Sequence, residues 1–242
     1  MFDYRGLQDV LFISIYIGVA LLALLAAVYL LFRRRNVFAA DVRSSRVLRR
    51  WTAALLVTMA ASHVWWYAIG QWWLADDWLV RTILVIMLDH STLVPLTMGV
   101  LLAMLQDRRR PLWPWLVVML PVVMFAYVGM GDRSWLFGYT LSHYYQLAVC
   151  AGFVVYYIFA LRQYGRWLLD NYADLEHKEV WQSLVFAVVL FGIYTLYTSN
   201  MGELTREYLS QVISIVIIAF LLWRVETLQE LEEEWKNEKM KE

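Results

Sequence analysis

Four titratable side chains stand inside long apolar runs of this sequence, where a charged group is costly. His63 lies in SHVWWY, Asp89 and His90 lie in LDHSTLVPL, and His143 lies in LSHYYQL. A charge at the centre of a bilayer costs ~2.5–3.5 kcal/mol on insertion scales, so such residues are candidates for a functional site. At ~1.5 Å per helical residue, His63, Asp89 and His90 reach similar depths of ~15–18 Å, and His143 reaches ~10 Å.

Helical spacing extends these residues into polar stripes. Tyr67 and Gln71 follow His63 at four and eight residues, and Tyr139 precedes His143 by four, so each set shares a helix face. The sequence therefore predicts an outward-facing polar cavity between helices two, three, five and seven that binds a small ligand or switches conformation. Its predicted members are His63, Tyr67, Asp89, His90, Tyr139, His143, Gln146 and Gln211.

Two other interpretations of these polar groups stay open. They could serve as hydrogen bonds between helices, at ~0.6–2 kcal/mol each, although such a role does not require a carboxylate. We expect His63 or a tyrosine as the partner of Asp89. Three histidines and an aspartate could also form a metal or haem site or an intramembrane metalloenzyme. No HxxxH or HExxH pair is present, however, so we predict neither a metal nor another cofactor.

Several families of membrane protein and enzyme are excluded by missing residues. A retinal-binding protein needs a lysine in its last span, whereas the lysines here are Lys178, Lys236, Lys239 and Lys241, all outside the apolar runs. The sequence has no P-loop and no GxSxG motif. We therefore predict no catalytic residues and no enzymatic activity for this chain.

The composition is that of an integral membrane protein. Of 242 residues, 61% are hydrophobic and 17% are charged, against ~45–50% and ~25% in soluble domains. A bilayer core of ~30 Å requires about 20 apolar helical residues, and seven runs approach or exceed that length. They are roughly Leu11–Phe32, Trp51–Trp73, Trp78–Leu105, Trp113–Met130, Leu136–Leu161, Val180–Ser199 and Leu209–Trp223. The predicted fold is an all-α bundle of seven transmembrane helices.

The loop charges predict the orientation of this bundle. With the N-terminus outside, 17 lysines and arginines fall in the cytoplasmic segments and three in the outer ones, and Arg81 lies within the third span. This distribution is the one that the positive-inside rule requires. We therefore expect an N-out/C-in protein of a bacterial inner membrane whose direct partner is the lipid bilayer. Tryptophans near the span ends, Trp65 and Trp66 among them, are expected to anchor the interfaces. The 21 basic residues are balanced by 21 acidic ones, so we predict no nucleic-acid partner.

An apolar seam continues past the seventh run into an acidic tail. Leu228 and Trp235 are seven residues apart, with Leu231 between them, which is the spacing of a coiled coil. We therefore divide the chain into a seven-helix domain, 1–224, and a cytoplasmic amphipathic helix, 225–242, that extends the last span. A short parallel coiled coil of this kind would favour a homodimer.

Three stretches resemble the multi-pass sensory regions of bacterial sensor histidine kinases and membrane-bound AraC-type regulators. They are LDHSTLVPL, RWLLDNYADLEHKEVWQS and IIAFLLWRVETLQELEE. In that family a signalling helix leads from the membrane to a kinase or DNA-binding module, and the chain here lacks the phospho-acceptor and ATP-binding motifs of such a module. The resemblance implies a sensory module that acts on a cytoplasmic kinase or regulator, with Leu228, Leu231 and Trp235 as the output. The alternative is a small permease, or a proton- or cation-coupled transporter that uses Asp89.

Overall fold

The computed structural model describes the backbone of residues 7–33, 36–37, 43–72, 78–130, 135–197 and 203–231. It describes the side chains of residues 10–33, 36–37, 43–69, 84–124, 140–193 and 208–231. Within these ranges the chain forms seven α-helices and no β-strand, which confirms the all-helical prediction. The helices are α1 Leu7–Phe32, α2 Arg46–Trp72, α3 Trp78–Met104, α4 Trp113–Met130, α5 Trp135–Asn171, α6 Trp181–Tyr197 and α7 Glu203–Thr227.

Five of the helices are long and apolar enough to cross a membrane, which supports the prediction of a helical membrane protein. Their apolar segments are Val10–Phe32, Arg46–Ile69, Leu84–Met104, Thr140–Asn171 and Tyr208–Thr227. The described apolar parts of α4 and α6, Trp113–Met124 and Trp181–Ile193, are shorter. The outer surface of α1 is apolar as well, with Leu25 67% and Phe32 81% exposed. So large an apolar surface is stable against lipid and would aggregate in water.

Small residues bring α1 and α2 close together. Ala23 and Ala27 are completely buried and lie one helical turn apart on α1, and Leu56 of α2 belongs to the same core. Close packing between small residues is a main source of helix association where lipid is as apolar as the side chains. Along the rest of the chain, α2 packs on α3, α4 packs on α5, and α7 packs on both α1 and α2.

Gly99 of α3 lies directly against the Trp51 ring of α2. A Cβ atom added there would lie 2.7 Å from Cε3 and Cζ3 of the Trp51 ring, inside van der Waals contact. We expect Gly99→Ala to lower the free energy of unfolding by about 1–3 kcal/mol, because overpacking a tight contact displaces the ring or the helix. Thermal unfolding in lipid nanodiscs measures this change.

The matched control is Gly152→Ala on α5, where an added Cβ meets no atom within 4 Å. This variant should be neutral or slightly stabilising, because alanine favours a helix over glycine by about 0.5–1 kcal/mol. Equal destabilisation by the two variants would contradict the close packing of α2 on α3.

Helix α5 extends well past its predicted end at Leu161. It continues to Asn171, because Tyr164 and Leu168 lie one turn apart and are both buried on its inner face. The Tyr164 hydroxyl donates to the carbonyl of Lys178 at 3.0 Å. The connection to α6 is therefore shorter than expected and folds back along α5.

The predicted helical extension after α7 differs from the structure. The helix ends at Thr227, and residues 228–231, here named the clasp, are not helical. Leu228 is completely buried and Leu231 is 7% exposed, so both contribute to this chain's own core. The prediction that Leu228 and Leu231 belong to a continuous helical seam facing a partner is therefore wrong. Trp235, the third residue of that predicted seam, lies outside the described residues.

Candidate functional site

Three neutral donors surround the carboxylate of Asp89, all of them from α2. Its Oδ1 accepts from Ser62 Oγ at 2.7 Å and from Trp65 Nε1 at 3.0 Å, and its Oδ2 accepts from Trp66 Nε1 at 2.7 Å. The hydrogen-bond partners of Asp89 are therefore a serine and two tryptophans, where His63 or a tyrosine was expected. The carboxylate fixes α3 against α2 through three hydrogen bonds to neutral groups.

Ser62, Trp65 and Trp66 were not predicted as members of the site. The two tryptophans were expected to anchor the membrane interface, and their indole nitrogens instead bind Asp89. A signal for this arrangement is present in the sequence, because Ser62 is followed by Trp65 and Trp66 at three and four residues. That spacing places all three donors on one helix face, opposite an aspartate at a similar depth.

The ring of His63 connects α2 to α7. Its Nδ1 lies 2.8 Å from the carbonyl oxygen of Met59 and its Nε2 lies 3.1 Å from Oε1 of Gln211. Because a carbonyl only accepts, Nδ1 carries the hydrogen. Nε2 of this neutral ring has no hydrogen and can only accept, so its partner on Gln211 is the amide nitrogen after a 180° rotation of the amide group, and both ring nitrogens of His63 are then engaged. This contact joins two residues that were predicted as members of the site, and both side chains are buried.

Helix α1 closes the site from a third side. The Tyr16 hydroxyl donates to the main-chain carbonyl of His63 at 2.6 Å, and the two rings lie 4.6 Å apart between centroids. Phe12 packs edge-on against Tyr208 of α7 at 5.4 Å. The histidine is thus held by α1, α2 and α7 together.

A cavity of about 150 Å³ lies beside His63, between α2, α3, α6 and α7. Its polar lining comes from Ser62, His63, Thr97 and Ser214. The apolar lining comes from Leu55, Met59, Leu93, Phe186, Leu190 and Ile217. Of the predicted site members, His63 lines this cavity, and α6 forms its fourth wall where α5 was expected.

The remaining candidates on α5 lie away from this cavity. Ser142 Oγ contacts Met87 Sδ of α3 at 3.5 Å, next to His143, and His143 is close enough to His90 to interact with it electrostatically. Gln146 is completely buried and its amide donates to Cys150 Sγ at 3.6 Å. Ser142 and His143 belong to the contact between α3 and α5, and neither they nor Gln146 line the cavity beside His63.

Two predicted members are not placed in the site. The side chain of Tyr67 is 41% exposed on α2, and that of Tyr139 lies outside the described residues. Among the described residues there is no group of three or more histidine, cysteine, aspartate or glutamate side chains that could hold a metal ion.

A buried ion pair joins the opposite ends of α2 and α7. Arg49 Nη2 lies 3.1 Å from Glu226 Oε1, and the two side chains are 9% and 1% exposed. Arg49 also donates to Asn36, Ser44 and the carbonyl of Leu30, at 2.9, 2.7 and 3.2 Å. This network was missed because Arg49 was counted with the loop charges and Glu226 with the acidic tail.

The clasp is hydrogen-bonded to each of three connections between helices. The amides of Gln229 and Glu230 donate to the carbonyls of His177 and Arg43, at 2.8 and 2.6 Å. Gln106 binds it twice, since its Oε1 accepts from the Leu231 amide and its Nε2 donates to the carbonyl of Gln229, both at 2.9 Å. The loops that follow α1, α3 and α5 thus converge on the segment that follows α7.

Comparison of the chain with protein-family models, with curated protein sequences and with solved structures finds no match.

Proposed function

We propose that this chain is a sensory, signal-transducing module of a bacterial inner membrane. In this proposal a small ligand occupies the cavity beside His63, and the resulting shift of α2 against α7 changes the clasp. The resemblance to the input regions of sensor kinases and AraC-type regulators suggests a cytoplasmic kinase or regulator as the partner that reads the clasp. The rest of the acidic tail would reach that partner, as a homodimer or as a single chain.

The observation that carries the proposal is the double connection between α2 and α7. The His63–Gln211 contact lies beside the cavity and the Arg49–Glu226 pair lies beside the clasp. The two contacts are 14 residues apart on α2 and 15 on α7, which is about 21 and 22 Å of helix. Because both helices are held at both points, a change at the cavity is transmitted along a matched antiparallel pair.

The proposal includes seven spans with the N-terminus outside and the C-terminus inside. Loop charges support this orientation, and the two shorter helices, of 18 and 17 residues, would cross as ~26–27 Å segments. A periplasm-active phosphatase fused after Arg109 or after Glu242 should be inactive, and one fused after Arg133 should be active. Activity at Glu242 would contradict the orientation and with it the access of the tail to a cytoplasmic partner.

The coupling between cavity and clasp can be measured by hydrogen exchange. We expect Gln211→Leu to accelerate amide exchange of Gln229, Glu230 and Leu231 by about threefold or more, because a hydrogen bond between helices contributes ~0.6 kcal/mol or more. The protein is studied as the full chain in lipid nanodiscs, by mass spectrometry.

Val212→Ala is the control for this experiment, since Val212 neighbours Gln211 and is 56% exposed on the surface of α7. It should leave exchange in the clasp unchanged. Unchanged exchange in the Gln211 variant as well would contradict coupling between the two ends of α7.

The alternative function is transport, and a flux measurement distinguishes it from sensing. The three donors at Asp89 keep its carboxylate in place, whereas a carrier must release and rebind its proton or cation. We therefore expect no flux when a pH gradient is applied to proteoliposomes. A flux that is lost in Asp89→Asn would favour the transporter instead.

A further inference from the structure

The lining of the cavity between α2, α3, α6 and α7 restricts the charge and polarity of an occupant as well as its size. None of its ten lining residues carries a carboxylate, an ammonium or a guanidinium group, and six are apolar. Moving an ion into such surroundings without a partner is strongly unfavourable. An occupant of this cavity is therefore uncharged and has a mainly apolar body.

The hydrogens of the polar lining groups are already used inside the protein. Ser62 donates to Asp89, Thr97 to the carbonyl of Leu93 at 2.8 Å, and Ser214 to the carbonyl of Ser210 at 2.8 Å. His63 donates through Nδ1 and faces Gln211 through Nε2. Since a hydroxyl oxygen keeps lone pairs after it has donated, the lining offers acceptors to an occupant and no spare donor.

The volume limits the occupant to a small molecule. An engineered protein cavity of ~150 Å³ with an apolar lining binds benzene, and this cavity has about the same volume. The apolar walls fit a ring or a short branched chain of similar size. The hydroxyl oxygens of Thr97 on α3 and Ser214 on α7 both line the cavity, and either can accept one hydrogen from such a body.

We propose that this cavity binds a small, uncharged hydroxyl compound, an alcohol or phenol of about benzene's size that donates its hydrogen to the lining. A molecule that only accepts hydrogen bonds, such as an ether or a ketone, finds no donor there and binds less well. This proposal names the class of ligand for the sensory site proposed above. It rests on the sensory function only for the claim that binding produces a signal.

The test uses three fluorinated probes that share a ring and differ in one group. The full chain in phosphatidylcholine nanodiscs is titrated with 4-fluorophenol, 4-fluoroanisole and 4-fluorobenzoate, and binding is read by fluorine NMR against empty nanodiscs. We expect the phenol to bind about three- to tenfold more tightly than the anisole, which is the usual net effect of one hydrogen bond. The benzoate should bind more weakly than either. Equal binding of phenol and anisole, or preference for the benzoate, overturns the proposal.

Variants place the binding in the cavity. Thr97→Val with Ser214→Ala removes two of the acceptors and retains the cavity, so the preference for phenol over anisole should fall. Ser214→Leu fills the cavity and should weaken binding of both the phenol and the anisole at least tenfold. If Ser214→Leu does not fold, Leu190→Phe fills the cavity from α6 and takes its place. Val216→Leu is the control, because the Val216 side chain is 59% exposed on the surface of α7. This variant should bind the probes as the original chain does. Unchanged binding in a folded, cavity-filled variant overturns the location.

The same samples separate this proposal from the sensory function. Hydrogen exchange at Gln229, Glu230 and Leu231 is measured with and without 4-fluorophenol. Selective phenol binding without any change in the clasp supports the ligand class and contradicts the sensory function. Failure of all probes to bind, together with coupling in Gln211→Leu, contradicts the ligand class and leaves the sensory function standing.

Discussion

Replacing Glu226 with leucine is expected to lower the free energy of unfolding by about 3–5 kcal/mol. The variant leaves the Arg49 guanidinium, 9% exposed beside Glu226, without its counter-charge, and an uncompensated buried charge is strongly destabilising. It also removes the acceptor for the Val37 amide, which lies 2.6 Å from Glu226 Oε2. Chemical unfolding of the nanodisc-embedded protein, followed by near-ultraviolet circular dichroism, measures the loss.

A double variant distinguishes the buried charge from a general intolerance of change at this place. Arg49→Met with Glu226→Met removes both charges, and replacing a whole buried pair by apolar residues is often neutral. We therefore expect the double variant to be clearly more stable than Glu226→Leu alone. Glu230→Gln, at an exposed carboxylate, should have little effect, and a loss as large as that of Glu226→Leu would contradict a special role for the buried pair.

The second large effect is expected at Asp89. Asp89→Ala leaves the Ser62 hydroxyl and the Trp65 and Trp66 indoles without their acceptor. Each buried donor that loses its partner costs about 1–3 kcal/mol, so the total loss should be about 3 kcal/mol or more. The indole resonances of Trp65 and Trp66 in nitrogen–proton NMR should shift together, which a general loss of packing would not produce at two sites alone.

Asp89→Asn is the matched comparison. Its amide oxygen can still accept from Ser62 and Trp65, whereas its amide nitrogen would face the Trp66 indole, donor against donor. We therefore expect a smaller loss, about 1–2 kcal/mol, with the shift concentrated on Trp66. Equal losses in the two variants would contradict the hydrogen bonds assigned to this carboxylate.

The seven helices could be predicted from the sequence because the apolar runs approach or exceed the length that a bilayer requires. The ends of α3 and α4 agree with the prediction within a residue, since polar and proline residues follow the runs closely. Helix α5 is longer than predicted because buried contacts of Tyr164 and Leu168 stabilise its last turns. A search for apolar runs does not detect such contacts. The spans of α4 and α6 remain a matter of the proposed topology.

The candidate site was predictable in its depth and only partly in its partners. An aspartate or a histidine in an apolar run is noticeable because burying its charge in a membrane is energetically unfavourable. Both His63 and Asp89 contact neighbouring helices. Which neighbours they meet depends on helix rotation and order, and the sequence contains no direct measure of either. Trp65 and Trp66 were accordingly assigned to the interface, and α6 was left out of the cavity.

The clasp was unpredictable for a different reason. A heptad spacing records only that Leu228 and Leu231 share an apolar direction, and it does not specify whether they meet a partner or the chain itself. The structure buries both in the chain's own core, because loop carbonyls and Gln106 provide partners for the backbone after Thr227.

The ion pair between α2 and α7 also sets an order for biogenesis. Arg49 and Glu226 are 177 residues apart in the chain, so at ~5–20 residues per second the ribosome needs on the order of ten to thirty-five seconds to make the second after the first. During that time the guanidinium has no carboxylate from α7 and must remain near the aqueous boundary, as long basic side chains can. Final closure of the bundle must therefore follow the emergence of α7, and stalled chains that end before Glu226 should be recognised by membrane proteases.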